Sequence, residues 1–183
     1  MQKVVLSEID LIHGPVNLPK GFEINRNKIK NDIIKSFIDQ KKINTNPKAY
    51  SYEDYEVPFS QPLQWLKDYI RDNFRVEHGF TLVDKSQHGN VLHPKEQSYL
   101  RHQIDPVDLR NSPDYTLIYA LDCEKDSCEL VIEYDDNRRK GRTWHIPLNN
   151  NEFVMFPSIN QYFISPNKSE QMNIILTTTY EYI

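Results

Sequence analysis

From residue 80 to the C-terminus the chain carries no helical period. Seven short runs dominated by Val, Ile, Thr and Tyr follow one another there, at 80–83, 115–121, 128–134, 142–146, 153–156, 163–164 and 172–182. Turn-forming stretches separate them, among them Asp135-Asp136-Asn137, Asn149-Asn150-Asn151 and Ser165-Pro166-Asn167. Strands of this length and spacing bury their apolar faces only by closing on one another, as a sandwich, jelly roll or barrel.

The first part of the chain reads differently. Residues 4–12 form a short β-prone stretch that Gly14-Pro15 ends. Over 27–42, Ile29, Ile33, Ile34, Phe37 and Ile38 recur at helical spacing, opposite Lys28, Lys30, Asp32, Lys35 and Asp39. That stripe faces a core. A polar loop with Pro47, Tyr50, Tyr52 and Tyr55 spans 44–58. A second helix opens after Ser60, a fitting N-cap, with Pro62 in its first turn, and closes at His78-Gly79. Leu63, Leu66, Ile70 and Phe74 mark its apolar face. The reading is an α+β, mostly β single domain, in which residues 1–79 supply a strand and two helices that pack on a β domain of residues 80–183. The helices then cover one sheet from outside and leave the barrel mouth free.

Composition closes off several classes of function. A net charge of -4 argues against a sequence-specific nucleic-acid partner. No apolar run approaches the roughly 20 residues of a membrane span. The first residues place acids inside their apolar stretch and do not read as a secretory signal, so a cytoplasmic location is expected. Five glycines and no Walker or Rossmann pattern set aside the common nucleotide enzymes. Cys123 and Cys128, the only two cysteines, are expected to flank a turn as free thiols.

Histidines and acids gather between 88 and 108: His88, His93, Glu96, His102, Asp105 and Asp108. A histidine and a carboxylate entering a barrel, with another ligand far downstream, make a facial triad for Fe(II) that leaves positions open for a cosubstrate and dioxygen. The competing reading is a solvated loop whose histidines cap turns. The charge run from Asp135 to Arg142 reads in the same two ways, as a grip for an acidic partner or as a solvated hairpin end. The closing run 176–183 alternates well and is expected at a sheet edge, where pairing with another subunit is one solution.

Several motifs resemble the 2-oxoglutarate/Fe(II)-dependent oxygenases, especially the small prolyl-hydroxylase-like members of marine bacteria and tailed phages. Tyr99-Leu100-Arg101-His102-Gln103-Ile104-Asp105 is similar to that family's Y-x-x-H-x-D region. The run from Asp114 to Leu121 resembles the strand that follows it, Cys128-Glu129-Leu130-Val131-Ile132 resembles a later strand, and Phe156-Pro157-Ser158 matches the family's Phe-Pro-Ser. The resemblance covers about residues 80–183 and implies a double-stranded β-helix, or jelly roll, preceded by two amphipathic helices.

For the site, the resemblance implies iron ligands at His102, Asp105 and Tyr162, and cosubstrate contacts at Tyr99 and Gln171. The departures from the family are as informative. His102 and Asp105 stand three apart where the family has H-x-D, and i and i+3 lie on opposite faces of a strand unless a bulge intervenes. Tyr162 takes the place of the family's second histidine, and a phenol ligates Fe(II) poorly. Gln171 or Met172 falls where the family clamps 2-oxoglutarate with arginine. His145, the one histidine downstream of His102, is a substitute ligand only if the strand order is shifted; a set of His93, His102 and His145 is a further alternative. The expectation is thus a degenerate oxygenase-fold protein that needs no cofactor and acts as a binding or assembly module through a protein partner or self-association, in a virion if the phage association holds. The alternative is an active hydroxylase with Fe(II) and 2-oxoglutarate on an atypical triad.

Overall fold

The computed structural model describes residues 9–43, 54–79, 81–137 and 140–183. Two helices and eight strands follow in the order β1 (Ile12–Pro15), α1 (Arg26–Ile43), α2 (Gln61–His78), β2 (Leu82–Leu92), β3 (Tyr115–Asp122), β4 (Glu129–Asn137), β5 (Lys140–Pro147), β6 (Glu152–Pro157), β7 (Gln161–Ile164) and β8 (Asn173–Tyr182). All strand pairs are antiparallel, in a five-stranded sheet ordered β1-β6-β3-β8-β2 and a three-stranded sheet ordered β5-β4-β7. This is the α+β, mostly β fold that the strand spacing implied, in the jelly-roll form that the family resemblance implied.

The helices form where the apolar period places them. Ile29 and Ile33 of α1, and Leu63, Leu66, Ile70 and Phe74 of α2, are buried against the outer face of the larger sheet. There they meet Val91, Leu117, Tyr119, Ile174, Leu176 and Tyr180. Gly79 stops α2 in the left-handed conformation, its N–H donating to Arg75 O. Ser60 holds the N-cap position, but its hydroxyl makes no capping bond.

A second apolar cluster fills the space between the sheets: Leu92, Ile118, Ala120, Leu130, Ile132, Val154, Phe156, Ile164 and Ile175. The strand alternation thus divides one large sheet between two cores, helical outside and barrel inside. Cys123 and Cys128 are buried free thiols on either side of the β3–β4 turn.

Three elements differ from the sequence-based expectation. The first strand lies at Ile12–Pro15, where it pairs with β6 and includes the Gly14-Pro15 pair read as its terminator. An edge strand tolerates a proline because one side of it has no ladder to feed. Residues 4–8 of the expected stretch lie outside the described residues. β2 runs on to Leu92 rather than ending near 83, taking Lys85, Ser86, Gln87, His88, Gly89 and Asn90 into the sheet. These are poor strand formers, and ten paired positions along β8 override their preference. β8, expected at an edge, is a central strand between β3 and β2, buried throughout 173–180.

Candidate functional site at the barrel mouth

The register of the large sheet sets out the inward side chains of the mouth. His88 pairs with Thr177, which pairs in turn with Ile118, and Ser86 pairs with Thr179, which pairs in turn with Thr116. Polar side chains occupy this layer and bond among themselves. Ser86 and Thr179 hydroxyls lie 2.6 Å apart, Thr116 and Ser158 hydroxyls 2.7 Å, and Thr177 Oγ1 donates to Asn90 Oδ1 at 2.9 Å. Ser158, of the Phe-Pro-Ser motif, is fully buried and ties β6 to the start of β3 through its N–H to Asp114 O.

The opposite wall is the segment 98–103, which runs beside β7. Ser98 N–H donates to Ile164 O, Arg101 N–H to Tyr162 O at 2.7 Å, and Tyr162 N–H back to Arg101 O at 3.0 Å. Because strand side chains alternate, this pairing puts Arg101 and Gln103 on the side of Tyr162 and turns His102 away. Gln103 Nε2 accordingly donates to the Tyr162 hydroxyl at 2.8 Å. Burial raises the Tyr162 phenol above its ordinary value, opposed by the Arg101 cation and the Gln103 bond. The ring packs edge-on to Phe156, centroids 5.2 Å apart.

Arg101 reaches across the mouth to a strap formed by 54–57. Tyr55 bridges Gly89 through N–H···O bonds of 2.9 and 2.8 Å and packs edge-on to Phe37 of α1. Asp54 is thereby held over the mouth. Its Oδ1 accepts from Arg101 Nη1 at 2.6 Å and Asn90 Nδ2 at 3.1 Å, and lies 3.0 Å from His88 Nε2. Burial lowers the His88 pKa below its ordinary value; Asp54 opposes this and Arg101 adds to it.

The residues expected to hold iron and cosubstrate do not converge. His102 is exposed, in a groove with Glu133 and Arg142. Asp105 is exposed in a turn, its Oδ1 accepting from Val107 N–H. Tyr162 is in the core, bound to Gln103. Tyr99 is half exposed at the rim, and Gln171 is exposed in the turn before β8, its carbonyl accepting from Asn167 Nδ2. His145 lies exposed on β5, its Nδ1 3.1 Å from Glu129, and His93 packs against Phe37. The set of His93, His102 and His145 therefore does not meet at one point either. Among the described residues, no three His, Cys, Asp or Glu side chains gather as a metal centre requires.

Of the side chains that face the mouth, Arg101, Gln103 and Tyr162 do not fit Fe(II), and His88 and Asp54 are two donors engaged with each other and with Arg101, one short of a facial triad. A guanidinium is a permanent cation with no lone pair to offer, Gln103 directs its amide N–H at Tyr162, and a phenol with a raised pKa stays protonated. Sequence reasoning passed over Arg101 and Gln103, although they flank His102 at the i, i+2 spacing that shares a strand face.

A further cavity of about 590 Å³ is lined by His13, Ile132, Tyr134, Trp144, Phe156 and Asn160, among others. Its volume is that of an ordinary small-ligand pocket. No helix among the described residues is long and apolar enough to cross a membrane.

No protein-family model matches the sequence. No curated protein matches it either. Solved structures do share its fold. The viral collagen prolyl hydroxylase of Paramecium bursaria Chlorella virus-1, in its 2OG complex, superposes with a TM-score of 0.58 at 12% identity over 93% of this chain and 94% of that one. A prolyl-4-hydroxylase of Pseudomonas putida gives 0.56 at 12% identity over 93% and 91%. An oxidoreductase of the 2OG-Fe(II) oxygenase family from Burkholderia pseudomallei gives 0.52 at 8% identity over 72% and 63%. The fold is that of the 2OG-Fe(II) oxygenases, prolyl hydroxylases included.

Proposed function

We propose that the chain is an oxygenase-fold protein without iron chemistry, acting as a binding or assembly module. The observation that carries the reading is the trio Arg101, Gln103 and Tyr162. Arg101-x-Gln103 has the family's i, i+2 spacing and faces Tyr162, the position of the family's second histidine; Gln103 bonds to Tyr162 and Arg101 to Asp54, and none of the three offers a ligand suited to a metal. The partner is a protein chain or a second copy. The outer edge of β5 supports this: among the described residues it pairs only with β4, and residues 141–145 are exposed, Trp144 at 59%. Such an edge accepts an added strand, and the cavity beside it accepts an anchoring side chain. On this reading the protein works in the cytoplasm or, following the phage-type resemblance, within a virion.

An anaerobic calorimetric titration of the purified protein with Fe(II) and 2-oxoglutarate tests the proposal. The expected result is no saturable heat and no visible charge-transfer band. Stoichiometric binding that His102→Ala abolishes overturns it.

A further inference from the structure

The mouth network has the make-up of a receptor and its ligand rather than of a structural ion pair. Three side-chain nitrogens converge on one oxygen, Asp54 Oδ1, at 2.6, 3.0 and 3.1 Å. These groups are largely enclosed: Asn90 is fully buried, and the His88 and Arg101 side chains are 13% and 16% exposed. The acceptor is not, since the Asp54 side chain is 50% exposed. The donor side is also fixed beforehand. Thr177, itself buried, donates to Asn90 Oδ1, which turns Asn90 Nδ2 toward the carboxylate, and the Arg101 backbone is held by two bonds to Tyr162. Asp54, by contrast, stands at the start of a strap whose backbone is held by the Tyr55–Gly89 bridge, by Gln87 Nε2 to Val57 O at 3.4 Å and by Ser36 Oγ to Glu56 O at 2.7 Å, none of which holds Asp54 itself.

We infer that Arg101, His88 and Asn90 form a carboxylate-binding site that Asp54 occupies in cis. An incoming carboxylate takes the place of the Asp54 side chain and releases the strap. The cleft by which it enters, about 360 Å³, is lined by Asp54, Tyr99, Leu100, Arg101, His102 and Gln103. With His88 neutral and Asp54 withdrawn, the pocket carries the single charge of Arg101, which matches one carboxylate. The half-exposed Tyr99 and Leu100 at its rim suit a carboxylate borne on an apolar stem, as a small organic acid or an acidic side chain of a partner. The inference rests on the iron-free reading, because a metal at this point would compete for the same carboxylate.

Cis occupancy lowers apparent affinity by the fraction of molecules in which the strap is closed. The test uses the full chain in EDTA, with acetate and a blocked Ala-Glu-Ala peptide as probes, followed by two-dimensional amide NMR. Asp54→Ala is expected to bind a probe at least about tenfold tighter than the unsubstituted protein. Adding Arg101→Gln to Asp54→Ala is expected to abolish that binding. In the unsubstituted protein, a saturating probe is expected to speed hydrogen exchange at the Tyr55 and Gly89 amides. Binding of acetate alone assigns a small acid, and binding of the peptide alone assigns an acidic side chain. Asp54→Asn, which keeps the shape and removes the charge, gives the same readout if Asp54→Ala fails to fold. Equal affinities with and without Asp54, or binding that survives Arg101→Gln, overturns the inference. Neither outcome depends on iron, whose binding is read separately in the metal titration without EDTA.

Discussion

Gly89→Ala probes the joint on which the mouth depends. Gly89 lies on β2 beneath α1 and pairs with Tyr55, which carries the Asp54 strap. A Cβ built there would stand 2.5, 2.6 and 2.8 Å from Cγ1, Cγ2 and Cδ1 of Ile33. Ile33 is fully buried, and as a β-branched residue in a helix it has essentially one χ1 rotamer, so it cannot swing aside. Overpacking of this kind costs about 1–3 kcal/mol. No left-handed φ applies at Gly89, so alanine accepts the backbone and recovers about 0.4–1 kcal/mol by restricting the unfolded chain. The expected net loss is about 1–2 kcal/mol, or roughly 2–8 °C in Tm for a chain of this size. Urea denaturation should show a lower midpoint with an unchanged slope. Ile33→Ala removes all three clashing atoms at a cost of about 2–5 kcal/mol. The double variant should then be more stable than the sum of the single losses by about 1–2 kcal/mol. A neutral Gly89→Ala, or strict additivity with Ile33→Ala, would refute the close approach of α1 to β2.

Three further outcomes are expected. Tyr162→Phe leaves Gln103 Nε2 without its acceptor and should cost about 1–2 kcal/mol by urea denaturation, a loss absent from Tyr162→Phe/Gln103→Leu. Ser158→Ala strands the buried Thr116 hydroxyl and should cost about 1–3 kcal/mol, whereas Thr116→Val/Ser158→Ala, which removes both partners, should cost less. His88 has its folded pKa lowered chiefly by burial, so in the window just below 6.5 the unfolded state binds more protons; stability should fall as pH drops through that window, and His88→Asn should flatten this component in melts recorded at successive pH values.

The helices could be read from the chain because their signals are local. A 3.6-residue apolar period, Pro62 and Gly79 state where α2 begins, which face it buries and where it stops. The later strands were also readable, since Val, Ile and Tyr mark them and Asn and Pro punctuate them. What could not be read was set by distant partners. His88 and Asn90 belong to a strand because β8 lies beside them, and nothing local in Lys85 to Asn90 says so. The same holds at the mouth. Hydrophobic patterning around His102 would put Leu100 and Ile104 inward, yet the pairing of Arg101 with Tyr162 makes Arg101 and Gln103 the inward residues. A one-residue shift of register exchanges every side chain between faces, so attention to the histidine selected the wrong face. Asp54 gave no signal at all, because its role depends on the contact between Tyr55 and Gly89.

Crystals grown with Mn(II) and 2-oxoglutarate put the central claim to the most direct measurement. The account predicts no anomalous peak at the mouth, with Arg101 Nη1 still bonded to a carboxylate and Gln103 still bonded to Tyr162. An anomalous peak at the mouth ligated by His102 or Tyr162, with Arg101 turned out to solvent, would contradict it.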